Sequence, residues 1–221
     1  MTLRKIVTMT TVATLATLLI STNAFSTPLA IAFDDFGPGS TLQTFSSSGL
    51  FAGTLPDAYT LGGITYSYSL GNRYLRGVYS GPVTSYVFAP FIQGTRADGI
   101  LTMQLSFAVN RFGFGFDLTS FAGVIPNAAT VSIFKGTAPL GSLSFKGMPE
   151  ITGYSAGFAG IESTDAFDRV EVTFADSTGD RQFRIDNIRT EVVNVPESTP
   201  FVFLSAGLAA LSMTLPRCWP R

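Results

Sequence analysis

The first residues able to do chemistry are two polar pairs near the ends of the chain's central body, Asp34-Asp35 and Asp186-Asn187. Ile185 and Ile188 are three apart, so strict strand alternation fails between them and a bulge is predicted at Asp186-Asn187. If the first and last strands lie side by side, carboxylate and amide oxygens from both pairs could converge on one hard cation. Calcium takes six to eight oxygen ligands and requires neither His nor Cys. A plainer expectation stands beside it: Asp186 and Asn187 bond backbone groups at the bulge, while Asp34 and Asp35 cap a turn. The acidic stretch 176–180 has the composition of a hairpin turn and lacks the length of an EF-hand loop.

Tyrosine supplies a second candidate. Six of the seven Tyr fall between Tyr59 and Tyr86, together with Arg73 and Arg76. Tyr66 and Tyr68 share one strand face, alternating with Ser67 and Ser69. Tyr has an apolar ring and a polar tip, so Tyr66, Tyr68 and Tyr74 beside Arg76 could stack on sugar rings and bond their hydroxyls. The same tyrosines would also suit a sheet for their β-propensity alone, with some rings in the core. The single Trp, Trp219, lies outside the body.

Catalysis would have to rest on carboxylates. His is absent and the one Cys, Cys218, is the fourth residue from the end, so no histidine triad, Cys-His dyad or histidine-ligated metal can be built. Two carboxylates about 5–9 Å apart across a cleft could hydrolyse a glycoside. Asp117, Glu150, Glu162, Asp165 and Asp168 are the acids available, and none sits in a catalytic motif. With 14 Lys+Arg against 15 Asp+Glu, the chain has no basic footprint for nucleic acid.

These residues must be positioned by strands. Residues 111–118 place Phe112, Phe114, Phe116 and Leu118 on one face and Gly113, Gly115 and Asp117 on the other. Residues 167–175 set Val170, Val172 and Phe174 against Arg169, Glu171 and Thr173, and Val131/Ile133 and Leu143/Phe145 repeat the alternation. Period two with aromatic and β-branched residues marks half-buried antiparallel strands. Further strands are predicted at 31–36, 64–70, 74–79, 84–88, 99–107, 155–161 and 182–193, with turns at Gly37-Pro38-Gly39, Gly62-Gly63, Gly81-Pro82 and Pro126-Asn127. The prediction is an all-β, two-sheet antiparallel sandwich, jelly-roll-like, over 25–194. The 20 Phe of the chain would fill the layer between its sheets. That body carries 10 basic and 14 acidic residues, a net charge of −4.

Both ends read differently from the body. Residues 1–24 have the form of a signal peptide: Arg4 and Lys5, an uncharged apolar run from Ile6 to Ile20, then small residues up to Ala24. Near the C-terminus, prolines at 196 and 200 break any strand. Phe201 to Leu215 then runs without a charge. As a hydrophobic helix it would be ~22 Å long, against ~30 Å for a bilayer core. Arg217, Trp219 and Arg221 follow, as at the cytoplasmic edge of a membrane segment.

This order of parts resembles the PEP-CTERM family of exported bacterial proteins. Pro196-Glu197, the apolar stretch, Arg217 and Arg221 carry the resemblance over 195–221, with Ser198 standing where that motif has a second Pro. The resemblance implies export, cleavage by signal peptidase, transient membrane attachment through the tail, and processing by an exosortase-like enzyme. The body resembles the sandwich domains that often precede this signal, through Phe33-Asp34-Asp35-Phe36, residues 112–117, residues 158–161 and residues 183–188. A non-catalytic protein of the cell envelope or matrix, in contact with exopolysaccharide, is then the expectation. The alternatives are a secreted carbohydrate-active hydrolase using paired carboxylates, and a purely structural surface protein. No cofactor is implied beyond a structural calcium.

Overall fold

The Phe/Gly alternation of residues 112–117 lies in the middle of the longest run of strand pairing in the molecule. The structure is a computed structural model that describes residues 27–45, 53–56, 59–77, 83–119, 123–150, 153–176 and 181–193. Twelve strands occur among them: β1 (Leu29–Ala30), β2 (Thr41–Gln43), β3 (Gly53–Thr54), β4 (Tyr59–Leu61), β5 (Ile64–Tyr68), β6 (Leu75–Gly77), β7 (Ile92–Gly94), β8 (Ile100–Thr119), β9 (Ile125–Lys135), β10 (Ala138–Pro149), β11 (Tyr154–Phe174) and β12 (Phe183–Glu191). Every pairing between them is antiparallel. The fold is all-β, as the alternation predicts.

The strands form one hydrogen-bonded sheet with the order β10-β9-β11-β8-β12-β7-β6-β3, while β5 adds to β8, β2 to β12 and β1 to β11. Two separate sheets were expected, and two long strands account for the difference. Residues 111–119 of β8 pair with 154–162 of β11, and 100–104 pair with 169–173, with register shifts between the two runs. The sequence reading divides each of these strands in two, at 107–111 and at 161–167. Yet Ser-Phe-Ala-Val-Asn at 106–110 and Glu-Ser-Thr-Asp-Ala at 162–166 contain no Gly or Pro, so the chain bends without turning back.

Beyond the bend each strand changes its neighbour. β8 pairs with β5 through 101–105 and with β12 through 111–118. β11 pairs with β9 through 169–174 and with β1 and the end of β10 through 155–162. The two limbs so formed close on one core. Phe174, from one limb, stacks on Phe183, from the other, with centroids 4.3 Å apart. Phe174 also meets Phe116 at 6.4 Å, and Tyr68 meets Phe183 at 5.6 Å. Phe112, Phe114, Phe116 and Phe183 have no exposed surface. Each such ring contributes roughly 1.5–3 kcal/mol by leaving water.

Local readings differ in three places. Phe33–Asp35 form a single 3-10 turn rather than a strand, because the Asp35 carboxylate accepts the Ala32 N–H at 2.6 Å and closes the chain on itself. Residues 84–88 form no strand but a loop held by side chains. Pro126-Asn127 lie inside β9 rather than in a turn. Gly62-Gly63 do turn between β4 and β5, with φ of 57° and 79°, a conformation open to glycine. Among the described residues no helix is long and apolar enough to cross a membrane. The predicted signal peptide 1–24 and the tail 195–221 lie outside the described residues.

Candidate functional site

Register assigns the two faces of β8. Ala156, Phe158 and Gly160 of β11 sit opposite Asp117, Gly115 and Gly113, and Arg184 and Asp186 of β12 sit opposite Asp117 and Gly115. The phenylalanines between them point into the core, so this second set faces outward. Its small residues leave backbone bare. A Cβ at Gly115 would come 1.9 Å from the Tyr86 carbonyl, and one at Gly160 would come 2.3 Å from the Ile31 carbonyl. The glycines admit the 83–90 loop and the N-terminal segment onto the sheet.

Two groups of polar contacts hold these covering segments. At the N-terminal segment, Arg111 donates to Glu162 (3.1 Å), Glu191 (3.3 Å) and the Asp35 carbonyl (3.1 Å), and Gly37 N–H donates to Glu191 (3.1 Å). Arg189 stacks its guanidinium over Phe33 at 4.0 Å, and Phe33 meets Phe158 edge-on at 5.4 Å. At the loop, side chains from β8 and β12, and Glu150 just after β10, take up its polar groups. Thr84 donates to Asp117 (3.2 Å), Ser85 N–H to Glu150 (2.7 Å) and Phe88 N–H to Asp186 (3.2 Å), while Asn187 donates to the Tyr86 carbonyl (2.9 Å).

Two of these anchors are buried acids. Arg184 grips Asp117 through two bonds of 2.6 and 2.7 Å, and its guanidinium lies 4.0 Å from the Tyr154 ring and 4.7 Å from that of Phe91. Burial pushes the Asp117 carboxyl up to about 6, with Arg184 pulling the other way. Burial likewise pushes Asp186 up to about 6, against the backbone N–H groups of Asn187, Phe88 and Phe45.

Between the two covering segments lies a groove of ≈ 940 Å³. Ala30–Asp34 contribute to its lining from the N-terminal segment, Ser85, Tyr86 and Phe88 from the loop, and Ala156–Phe158 from the sheet. Phe145, Lys146 and Met148 of β10, Glu150 just after it, and Asn187 of β12 complete it. Phe88 and Met148 are 49% and 44% exposed, high for such side chains. Residues 33–36, 112–117, 158–161 and 183–188 all contribute to the groove or to the sheet and segments around it. Their meeting is a product of topology, since more than 150 residues separate Asp34 from Asn187 in the sequence.

The site residues named from sequence fall unevenly. Tyr66 is fully buried and accepts a bond from Gln43 at 2.7 Å, and Tyr68 is buried with its hydroxyl bonded to the Arg96 carbonyl at 2.6 Å. Their rings belong to the core, which corrects the expectation that they meet a glycan: the hydroxyls find partners inside, so burying the rings leaves no polar tip unsatisfied. Tyr74 is half-buried beneath Arg73, and Arg76 is exposed on β6; neither lines the groove.

The predicted bulge is present, with a register shift between Asp186 and Arg189 and Asn187 at φ 53°. Asp34 and Asn187 reach the same groove. Asp35, however, accepts the Ala32 N–H of its own turn, Asp186 gives one oxygen to the Phe88 N–H, and no three acids form a metal-holding group among the described residues. The four-residue calcium set is therefore not assembled: Asp186 and Asn187 bond the backbone of the 83–90 loop, and Asp35, without Asp34, closes the turn. Of the acids considered for hydrolysis, Asp117, Glu150 and Glu162 hold Arg184, Ser85 and Arg111, and Asp168 accepts the Gly136 N–H at 2.8 Å. Pro196, Glu197, Arg217 and Arg221 lie outside the described residues.

No family model and no curated protein matches the sequence. Among solved structures, the K2 cleaved adhesin domain of Lys-gingipain aligns with 71% of this chain and 100% of its own, at 13% identity and a TM-score of 0.47. A family 29 carbohydrate-binding module aligns with 68% of this chain and 88% of its own, at 12% identity and a TM-score of 0.32. A CBM29-2 variant complexed with mannohexaose gives 68%, 89%, 12% and 0.33. With scores this low, the chemistry of the groove stands on its own residues alone.

Proposed function

We propose that the chain is an exported, non-catalytic protein of the cell envelope or extracellular matrix, associated with polysaccharide through its folded body. On this reading the folded sheet is a jelly-roll-like sandwich. A signal peptide over 1–24 directs export, and the PEP-CTERM-like tail over 195–221 holds the chain at the membrane until an exosortase-like enzyme processes it near Pro196-Glu197. The tail part of the reading is supported by the order of signal, β-rich body, Pro-Glu, apolar stretch and terminal arginine.

The observation that carries the binding part is the composition of the groove. Its lining is dominated by aromatic and apolar side chains, and its Glu150 carboxylate holds the Ser85 backbone. A cleft of this size, apolar with a few polar groups, is suited to hold a ligand. Glycoside cleavage would need two carboxylates left free to act as acid and base. Of the two lining acids, Glu150 is bonded to Ser85 and Asp34 has no internal bond among the described residues.

Expression of the tagged full-length chain in its source cell, followed by fractionation and intact mass measurement, tests the itinerary. Loss of both ends, near Ala24 and near Pro196-Glu197, is the expected result. An intact C-terminus in the membrane fraction would overturn the sorting part. Release of reducing sugar from soluble polysaccharides by the purified chain would overturn the non-catalytic part.

A further inference from the structure

The geometry points to the groove as a binding site for an uncharged polysaccharide segment, stacked on Phe88, Tyr86 and Phe158 and hydrogen-bonded by Asp34 and Lys146. This inference rests on the reading of the chain as a non-catalytic, polysaccharide-associated protein and fixes where and what it binds.

The ring edges come first. Phe158 stands on bare glycine backbone and is braced edge-on by Phe33 at 5.4 Å and Phe36 at 6.1 Å. Tyr86 and Phe88 sit on a loop tied down at four points, so neither ring relies on a mobile support. Half of Phe88 is exposed, and among the described residues no bond or ring contact uses that surface. A pyranose presents an apolar face of C–H groups and a belt of hydroxyls. Aromatic rings match the face, and ordering a preformed site costs little on binding.

The polar groups match the belt. Asp34 and Lys146 line the groove, are exposed, and have no internal partner among the described residues. The carboxylate can accept two hydroxyls and the ammonium can donate to others, in charge-assisted bonds. Asn187 spends its amide N–H on Tyr86 and keeps its side-chain oxygen as a further acceptor. A lipid chain would leave these charges unsatisfied, which burial punishes.

Charge decides the class of polymer. The lining holds two carboxylates, Asp34 and Glu150, against one cation, Lys146, and the body as a whole carries −4 over 25–194. Arg189 stacks on Phe33 but does not line the groove. A uronic acid polymer would meet like charge both at long range and at the rim. A neutral glucan or mannan would not.

Affinity electrophoresis of the full-length chain, in gels cast with a soluble neutral β-glucan, a mannan or alginate, tests the site. The wild type should be retarded by a neutral polymer and not by alginate. Phe88→Ala and Asp34→Ala should each weaken retardation about tenfold or more. Both residues are exposed, so their variants should keep the wild-type melting temperature, which is measured alongside. Tyr74→Ala and Arg76→Ala, away from the groove, should migrate as wild type. Retardation that survives Phe88→Ala and Asp34→Ala, or is lost in Tyr74→Ala, would overturn the site while leaving polysaccharide association intact. Retardation by alginate alone would overturn the ligand class. No retardation by any polymer would overturn this inference together with the polysaccharide part of the proposed function, while the itinerary is judged by its own mass measurement.

Discussion

Arg184 and Asp117 face each other across β12 and β8, joined by two bonds of 2.6 and 2.7 Å, with 3% and none of their side chains exposed. The pair lies on the outward face of the sheet yet is sealed beneath Tyr154, Phe91 and the 83–90 loop. Its role is to hold that loop, because Asp117 also accepts the Thr84 hydroxyl, which in turn accepts the Val87 N–H at 3.1 Å.

Removing one partner strands the other. Asp117→Ala would leave the Arg184 guanidinium buried without its counter-charge, at a cost of about 3–5 kcal/mol. Arg184→Met, which keeps the bulk, should cost a similar amount by stranding Asp117. Urea unfolding of the two single variants and the double variant reads both terms. The double variant should be less destabilised than the sum of the singles, since neither charge is then left alone. Additive losses would show that the pair does not act as a unit.

Gly115 tests the covering loop. A methyl group there would stand 1.9 Å from the Tyr86 carbonyl, a backbone atom that cannot swing aside. Gly115→Ala should therefore lift residues 84–88, open them to limited proteolysis and reduce neutral-polymer binding. Gly39→Ala provides the comparison, because nothing lies within 4 Å of its added carbon. It should leave both cleavage and binding at the wild-type level.

Asp186 makes stability depend on pH in a definite direction. Its carboxyl is raised to about 6 in the folded protein, by burial first, from an ordinary value of 3.8. The folded state therefore binds the proton more tightly than the unfolded chain. The stability this contributes is full below about pH 4 and is lost as pH rises through about 6. The linked change is about 3 kcal/mol at most, from about two units at ~1.4 kcal/mol each. Urea midpoints measured from pH 4 to 8 should fall less steeply across this window in Asp186→Asn than in the wild type. An identical slope would remove Asp186 as the cause.

Much of the fold can be read along the chain because it depends on period two. The Phe/Gly alternation of 112–117 assigns an inner and an outer face, and the failure of alternation at Ile185 and Ile188 marks the bulge. What cannot be read are contacts made by distant side chains. Residues 84–88 look like a strand because they are β-prone, but they are held by Asp117 through the Thr84 hydroxyl and by Glu150 and Asp186 through backbone N–H groups, acids that lie up to 98 residues away. The tyrosine band looks like a surface for the same reason: Gln43, 23 residues before Tyr66, is what allows that hydroxyl to be buried. The groove has no motif of its own. Its nearest sequence signal is the pair of outward glycines, which implies that something must lie close against them.

The buried tyrosines can be distinguished from the exposed ones by alkaline titration. Burial raises Tyr66 well above the ordinary value of 10 and pushes Tyr68 up to about 12. Between pH 10 and 12 the unfolded chain would lose these protons while the folded one keeps them, so stability falls as pH rises through that range. Tyrosinate absorbance should thus appear in two stages, an early one from accessible rings and a late one that coincides with loss of the folded near-ultraviolet signal. Tyr66→Phe should shrink the late stage only and cost about 1 kcal/mol through the lost Gln43 bond. It should leave polymer retardation unchanged. A smaller early stage in Tyr66→Phe would place that ring at the surface after all, and would return it to the set of residues a glycan could touch.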